Sequence, residues 1–378
     1  MTAEPHAKEP VMDEGTTYVG MDVHKRTIAV SVRFPDGGCD ERTIPHEARS
    51  VNRLVRKLKR EAPGAILCAY EAGPSGYGLQ RELQEQGLSC QVIAPSLIPR
   101  KPGERIKTDR RDARRLAELL EGGLLTEVHP PSPEDEAVRD VCRAREDAKE
   151  DQVRARHRLG KFLLRRGLRW GRKNWTVVHQ QWLRGLRLEH PADQAVFDAY
   201  CIALDQATER VRMVELALQD WASAEPYATP VSWLRCFHGI DTVTAMTLVT
   251  ELHDFRRFRR PRELMSYLGL IPSEHSSGGH TQRGGITKTG NGHARRVLIE
   301  CAWHYRHPSK VSRALQKRRE GQPARVIAIA DRAHRRLSGR YRRMTARGKE
   351  HNKAVVAVAR ELVGFLWATL AVEERAAV

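Results

Sequence analysis

Apolar and polar residues alternate in short blocks over the first 130 positions of this 378-residue chain. Apolar, β-prone runs at 16–23 and 26–34 predict two strands joined by a tight turn. A turn at 35–38, with the sequence PDGG, then precedes a plausible third strand over 39–44. The spacing changes over 50–62, where apolar residues recur every three or four positions and predict a helix.

The same alternation continues towards position 122. Two further strands are predicted, over 65–70 and 90–95, and a helix is predicted between them over 77–87. A third helix follows, with Thr108 as its N-cap and Gly122 as its stop. The order β-β-β-α-β-α-β-α predicts an α/β domain in which a mixed sheet is covered by helices.

Beyond position 130 the strand signals stop. Two long, charged stretches at 134–166 and 193–223 carry ragged apolar stripes at helical spacing. They predict either a helical hairpin or coiled-coil arm, which could dimerise, or two helices that pack on their own domain.

The remaining residues read as mainly helical. A helix, a glycine-containing turn and a second helix are predicted over 234–252, followed by a glycine-rich stretch and helices dense in arginine over 317–349. An apolar helix over 355–370 contains Arg360 and Glu361, which favours a core or interface role over a membrane span. We expect five parts: a disordered tail at 1–15, a mixed-sheet domain at 16–130, a helical region at 131–228, a mainly helical domain at 229–345, and a C-terminal helix at 346–378.

The net charge of the chain narrows the class of molecule that it is expected to bind. Lys and Arg number 65 and Asp and Glu number 47, which gives a net charge of +18. Such an excess indicates a polyanionic partner, most simply nucleic acid. None of the seven cysteines forms a CxxC pair, so neither a zinc ribbon nor a disulfide framework is indicated, and a cytoplasmic location is expected. No apolar run approaches membrane length, and no membrane partner is expected.

Four acidic residues occupy positions that the predicted elements bring together. Asp22 ends the first strand, Glu71 ends the fourth, and Asp109 and Asp112 share one face at the start of the third helix. Four neighbouring carboxylates would repel one another unless cations lay between them, and oxygen ligands favour Mg²⁺ or Mn²⁺. Two such ions could clamp a phosphodiester.

Each acid also has a plain structural interpretation. Asp22 could cap a turn, Glu71 could be a solvated strand end, and Asp109 and Asp112 could pair with arginines on their own helix. The four together, in that strand order, favour the metal site.

At these residues the sequence resembles a family. The segments GMDVHK (20–25), YEAGPSGYGL (70–79) and KTDRRDARRLAELL (107–120) resemble motifs of the DEDD transposases of the insertion-sequence-110 family. The resemblance implies an RNase H-like, RuvC-like domain at 16–130, a coiled-coil dimerisation region at 131–228 and a transposase domain at 229–345. The predicted strand order agrees with an RNase H fold. By resemblance, Asp22, Glu71, Asp109 and Asp112 are the metal-binding catalytic acids, with Lys25, Lys107, Arg110 and Arg111 as neighbouring nucleic-acid contacts.

The glycine-rich stretch over 268–300 is the second candidate site. Its glycines allow close approach to a phosphate, although it lacks a Walker motif, and it could also be a flexible basic loop without chemistry. By resemblance it carries a serine nucleophile that becomes joined to DNA: Ser277, with Ser276 as the alternative. We expect the surrounding nucleic-acid contacts to be His280, Arg283, Lys288, Asn291, His293, Arg295 and Arg296.

The turn at 238–241 resembles a helix-hairpin-helix. Its usual glycine is replaced by Asp241, so a packing hairpin is equally expected.

The expected function is DNA transposition by a site-specific recombinase with Mg²⁺ or Mn²⁺, acting through a phosphoserine intermediate. The resemblance further implies donor and target DNA, a structured guide (bridge) RNA, and a homo-oligomer of two to four subunits. The alternative keeps the fold but drops the serine: a RuvC-like junction endonuclease in which water attacks. A sugar kinase is disfavoured, because His24 replaces a glycine of its phosphate motif. A guide-RNA binder without catalysis is the fourth hypothesis.

Overall fold

The structure, a computed structural model, describes residues 15–99, 108–277, 280–307 and 311–371, with the backbone alone at positions 275, 277, 280 and 281. Within it the chain divides into two compact units, Met1–Pro130 and Pro131–Val378. The residues expected to form a helical region, a transposase domain and a C-terminal helix therefore belong to one compact unit. The tail expected at 1–15 lies outside the described residues except for Gly15.

The first unit has the predicted order of elements and one additional short strand. Its elements are β1 (Thr17–Val23), β2 (Thr27–Arg33), β3 (Cys39–Pro45), α1 (Ala48–Glu61), β4 (Ile66–Glu71), α2 (Gly78–Glu85), β5 (Ser89–Ile93), α3 (Asp109–Glu121) and β6 (Glu127–Val128). The strand order in the six-stranded sheet is β3-β2-β1-β4-β5-β6. Strands β1, β4 and β5 run parallel to one another. The β1–β2, β2–β3 and β5–β6 pairs are antiparallel. The predicted mixed α/β architecture is confirmed.

Helices α1 and α2 cover one face of this sheet. Every second residue of the central strands, including Met21 and Tyr70, points to this face and packs with the apolar residues of α1 in one buried cluster. The alternation follows from the two-residue period of a strand, which sends successive side chains to opposite faces.

Helix α3 covers the opposite face, and it does so at unusually short range. A Cβ added at Gly20 would lie inside van der Waals contact of the Ala113 carbonyl oxygen and the Ala117 amide nitrogen, and 3.1 Å from the Ala117 Cα. Small residues on this face, including Ala29 and Ala69, are almost fully buried beneath the helix layer. The hydroxyl of Thr108 accepts a hydrogen bond from the Arg111 amide, which confirms the predicted N-cap of α3.

The second unit is mainly helical. Its elements are α4 (Pro133–Arg165), α5 (Val177–Gly185), α6 (Pro191–Ala222), α7 (Ala228–Leu234), α8 (Thr242–Leu252), α9 (Pro261–Tyr267), β7 (Pro272–Ser277), β8 (His280–Ile286), α10 (Gly292–Ala302), α11 (Arg313–Arg319), α12 (Ala324–Ala346) and α13 (His351–Leu370). Helix α5 was not predicted, and the glycine-rich stretch forms the β7–β8 hairpin where a loop was expected. The predicted helical character of this half of the chain is confirmed.

Helices α4 and α6 form an antiparallel hairpin, called the arm below. Arg145 pairs with Glu215 at 2.6 Å, and farther along the arm the Gln152 side chain donates to the Thr208 hydroxyl at 3.1 Å. Closer to the loop that connects the two helices, the rings of Phe162 and Tyr200 pack edge to face with their centroids 5.7 Å apart. The base of the arm is part of the main core of the unit, through Val138 and Leu218.

Helix α13 lies in that core. Seven of its apolar residues are at most 2% exposed, and they pack against α9, α10 and α12. This placement confirms the expectation of a core helix. Among the described residues, no helix combines the length and apolarity needed to cross a membrane. No disulfide links any of the seven cysteines in the described structure.

A buried carboxylate joins three elements of the second unit. Glu251 of α8 is 4% exposed and accepts two hydrogen bonds from Arg143 of α4, at 2.8 and 3.1 Å. The Asn291 side chain, at the start of α10, donates a third at 2.7 Å. Burial would raise the pKa of Glu251, but the hydrogen bonds from Arg143 and Asn291 outweigh it and hold the pKa below its usual value.

We expect Gly20→Ala to destabilise the first unit by about 1–3 kcal/mol, because the added methyl group must displace the backbone of α3. Urea unfolding monitored by circular dichroism, with hydrogen exchange of α3 peptides, measures the effect. Gly78→Ala is the matched control, since no atom lies within 4 Å of the added methyl group. Equal stability of both variants would contradict the close approach.

We expect the second unit to lose stability as pH falls below the usual glutamate pKa of 4.5, because the lowered pKa of Glu251 means that folding favours its ionised form. Glu251→Gln should cost about 1–3 kcal/mol at pH 7 and flatten the decline of the urea midpoint as the pH falls below 4.5. Glu150→Gln removes an exposed ion pair with Arg154 and serves as control. An unchanged acid profile in Glu251→Gln would rule out this carboxylate as the source.

Candidate functional site

Three potential metal ligands meet at the carboxyl end of β1. The Nε2 atom of His24 lies 3.3 Å from the Asp22 Oδ2 atom and 3.5 Å from the Asp109 Oδ1 atom. One ligand atom from each residue lies within 4.8 Å of the other two. Exposure rises from 20% for the Asp22 side chain to 52% for His24 and 63% for Asp109, so the group faces solvent.

Local geometry explains this meeting. Tyr18, Gly20 and Asp22 share the face of β1 that α3 covers, because alternate residues of a strand point the same way. The first residue of α3 is Asp109, which the close approach of the helix brings next to the strand end. His24 follows in the β1–β2 turn, where its amide donates to the Thr27 carbonyl at 2.9 Å. Its carbonyl accepts a hydrogen bond from His46 Nδ1 at 2.7 Å, which further fixes the turn.

The other two predicted acids lie beside this group. Glu71 is the last residue of β4, whose parallel register places Met21 opposite Tyr70. Asp22 and Glu71 are the next residues in that register and share a sheet face. Asp112 lies one helical turn beyond Asp109 and is half-buried. Neither Glu71 nor Asp112 belongs to the group of three close ligands found among the described residues.

His24 is the site residue that the sequence analysis missed. It stands two positions after Asp22, the spacing that keeps side chains on one face of a strand. Extending the alternation one residue past the predicted strand end would have found it.

The donor set fits a divalent cation. In an octahedral site with ligands at 2.0–2.1 Å, adjacent donors lie roughly 3 Å apart and opposite donors roughly 4 Å apart. The two distances from His24 Nε2, 3.3 and 3.5 Å, are of this size, and all three ligand atoms lie within 4.8 Å of one another. Two carboxylates with one imidazole suit Mn²⁺ better than Mg²⁺, which prefers oxygen ligands and water.

Basic residues surround the group. Lys25 in the β1–β2 turn and Arg110 and Arg111 on the first turn of α3 are exposed. Lys107, predicted as a further contact, lies outside the described residues.

The β7–β8 hairpin carries the candidate nucleophiles. The Ser276 hydroxyl donates a hydrogen bond to Glu274 Oε1 at 2.9 Å, and Arg283 Nε donates to Oε2 of the same carboxylate at 3.1 Å. The hydrogen bond from Ser276 contributes most, and that from Arg283 next, to holding the pKa of Glu274 below its usual value. Ser277 pairs with His280 where the two strands meet the turn.

The predicted phosphate contacts after the hairpin separate into two groups. Asn291 caps α10 by accepting from the Ala294 amide at 2.9 Å, and Arg295 donates to the carbonyls of Leu268 and Thr289. These two side chains therefore have structural partners.

The other residues of that set either pair with a carboxylate or are exposed. His293 and Arg296 both contact Glu146 of α4, at 2.9 and 2.8 Å. Lys288 is exposed and adopts a positive φ of 57°, and Arg283 is exposed beside Glu274. Lys288 is thus open to a phosphate contact, whereas Arg283 would have to leave Glu274 to make one.

The helix-hairpin-helix-like turn lies between α7 and α8. The Asp241 carboxylate accepts a hydrogen bond from the Thr244 amide at 2.9 Å, so it occupies the helix end where such a motif would hold a phosphate. Behind it, the Gly239 carbonyl accepts from Cys301 Sγ at 3.2 Å and the Ile240 carbonyl from Arg318 at 2.6 Å. These contacts favour the packing interpretation of the turn.

Comparison with known proteins connects both sites to one group. A family model described as "Transposase", for the DEDD type of IS110, matches residues 19–166, and one described as "Transposase IS116/IS110/IS902 family" matches residues 232–316. The first match includes the three metal-ligand candidates and the second includes the serine hairpin.

Curated relatives agree over most of the chain. The chain is 40% identical over 362 residues to "Putative transposase y4qE" of Sinorhizobium fredii (strain NBRC 101917 / NGR234), covering 95% of this chain and 89% of the relative. It is 36% identical over 340 residues to "Transposase for insertion sequence element IS1533" of Leptospira borgpetersenii, covering 88% and 98%. It is also 27% identical over 331 residues to "Probable family 20 transposase" of Pseudomonas aeruginosa, covering 82% and 92%.

Two family matches on the two candidate sites, together with relatives of this identity and coverage, show that the chain belongs to the IS110 family of insertion-sequence transposases, enzymes that cut DNA.

Proposed function

We propose that this transposase cuts and rejoins DNA through a covalent phosphoserine intermediate, with a divalent cation at the carboxyl end of β1. The observation that carries the proposal is the meeting of Asp22, His24 and Asp109 at one strand end. The strand order β3-β2-β1-β4-β5, antiparallel on one side of β1 and parallel on the other, supports an RNase H-like assignment for this domain.

Asp22, Asp109 and His24 would hold the cation, with Glu71 and Asp112 beside them for a second. A divalent cation there would offset charge on a phosphodiester and favour ionisation of an attacking hydroxyl. Lys25, Arg110 and Arg111 are exposed on the same elements and can receive the flanking phosphates.

A hairpin serine performs the transfer. Its Oγ atom forms a bond to phosphorus as the bond from phosphorus to one DNA oxygen breaks, and the serine proton ends on the departing DNA hydroxyl. Attack by a hydroxyl of a second DNA strand reverses these changes and releases the serine. One phosphodiester replaces another, so the exchange needs no external energy source.

Ser276 has the better supported position of the two candidates. Glutamate is ordinarily ionised at neutral pH, and the lowered pKa of Glu274 strengthens this, so its oxygens can only accept hydrogen bonds. The Ser276 hydroxyl must therefore direct its hydrogen towards Glu274, which leaves the oxygen lone pairs free. Ser277, favoured by the sequence motif, remains the alternative.

A structured guide (bridge) RNA and an assembly of two to four subunits complete the proposal. Both rest on family resemblance, and the net charge of +18 is consistent with RNA as well as donor and target DNA. The alternative function is a junction endonuclease that uses water in place of serine. The hydrogen-bonded Ser276 favours the serine route.

The metal proposal predicts that Asp22→Asn and His24→Ala each weaken Mn²⁺ binding by at least about 10–100-fold, since even indirect support of a metal ligand is worth that much. Isothermal titration calorimetry on the full chain measures this directly. Asp205→Asn, an exposed acid of α6, is the control. Wild-type affinity in both site variants would exclude this site.

The serine proposal predicts that replacing the nucleophile abolishes the protein–DNA adduct and lowers strand cleavage roughly 10⁴-fold or more. Ser276→Ala and Ser277→Ala are compared on a nicked donor DNA with Mg²⁺, and the adduct is located by mass spectrometry. Ser273→Ala is the control on the same hairpin, where the hydroxyl donates to the Gly285 carbonyl. Normal cleavage by the Ser276→Ala/Ser277→Ala double variant would favour the water-dependent endonuclease.

A further inference from the structure

The connection between the two arm helices is far more basic than the arm itself. We call residues 156–190 the arm tip; it contains the end of α4, helix α5 and the loops on either side. The tip has ten Lys or Arg residues and one acidic residue, Glu189. Arginines on the arm below it are neutralised by neighbours, as Arg154 is by Glu150 and Arg212 by Glu209.

Most of the basic side chains at the tip are exposed and lack an acidic partner. Arg166 pairs with Asp193 at 2.5 Å, and the Arg156 guanidinium lies over the Trp175 ring at 5.4 Å. Over the part of the chain that the structure describes, no carboxylate forms an ion pair with the other eight. These are Arg158, Lys161, Arg165, Arg169, Arg172, Lys173, Arg184 and Arg187.

Three tryptophans lie among these charges. The rings of Trp170, Trp175 and Trp182 surround the buried imidazole of His179, with centroids 5.7, 5.1 and 5.5 Å from it. All three indoles are half-buried, so each presents part of its surface to solvent. Together with Lys161 they line an open cleft of ≈ 540 Å³.

Packing alone does not explain this cleft. The Trp170 indole N–H finds no hydrogen-bond acceptor within the described chain, although buried indoles usually have one. Val177 at 70% and Leu164 at 48% exposed add apolar surface to the same tip.

The positive charge of the arm tip indicates which class of molecule it binds. A second copy of the same tip would bring one set of unneutralised cations against another and be repelled. Nucleic acid supplies the opposite charge. It also supplies flat bases, and a free base face exists where the strand is unpaired, since in a duplex each base already stacks on its neighbours.

We propose that the arm tip is a binding site for single-stranded nucleic acid. An unpaired base stacks on the tryptophan rings where they reach solvent in the cleft, and the neighbouring phosphates contact the unpaired arginines and lysines. The strand is either displaced DNA or an unpaired segment of RNA, which offer the same base and phosphate chemistry. This site needs neither the cation nor the serine.

Fluorescence anisotropy of labelled oligo-dT and oligo-U with the full chain in EDTA tests the phosphate contacts. The triple variant R169Q/R172Q/K173Q should bind about 10–100-fold more weakly and lower the salt slope by about 2, at roughly 0.7 per lost contact. The control R154Q/R210Q/R212Q removes the same charge from arginines that are ion-paired on the arm. Equal losses in the two triple variants would leave only a general charge effect and overturn the site.

The stacking is tested separately. Trp175→Leu should weaken single-strand binding about 10-fold and leave duplex DNA binding unchanged, while Trp175→Phe retains affinity. Circular dichroism confirms that each variant folds. Equal weakening for duplex and single strand, or a change in oligomeric state with unchanged oligonucleotide affinity, would overturn the proposal.

Photocrosslinking identifies the strand. Oligonucleotides with 4-thiouridine or 5-bromodeoxyuridine should crosslink within residues 156–190, and the more efficient of the two distinguishes RNA from DNA. Crosslinks confined to other peptides would exclude the tip. Because EDTA prevents metal-dependent cleavage, failure here is independent of failure of the phosphoserine proposal.

Discussion

Helix α3 lies against the sheet with no room for a methyl group at Gly20, and the geometry of the candidate metal centre follows from that contact. The helix starts with Asp109, and Asp22 is the penultimate residue of the strand beneath it. The backbones of helix and strand touch at Gly20, so the two carboxylates are placed by the main chain and need no long side chain to reach each other. Small residues on this sheet face are therefore as necessary to the site as the acids.

The second unit is organised around a different kind of contact. Glu251 is buried and charged, and its partners come from the arm and from the residue that caps α10. The chain that runs from the serine hairpin into α10 is thus tied to the same carboxylate as the arm. A buried ion pair contributes little net stability compared with apolar packing, but removing one partner is costly, which makes such a contact a strong constraint on relative position within the unit.

Periodicity predicted the regular elements well, because burial of one face imposes spacing that can be read along the chain. Strands β1 to β5 of the first unit, the N-cap at Thr108 and the long arm helices were all found in this way. Contacts between distant residues carry no such local signal. The Glu251–Arg143 pair spans 108 positions and could not be predicted, and β6 has two residues and no pattern. Glycines in the β7–β8 hairpin suggested a loop, because glycine has low strand propensity and pairing there is set by register. His24 was missed because it lies just past the strand whose alternation would have revealed it.

The length of the arm fixes the distance between its base and its tip. Helix α4 has 33 residues, and at 1.5 Å per residue it extends roughly 50 Å. The rise of duplex DNA is about 3.4 Å per base pair, so this span equals roughly 15 base pairs, more than one helical turn. Groups at the two ends of the arm therefore lie too far apart to contact the same nucleotide.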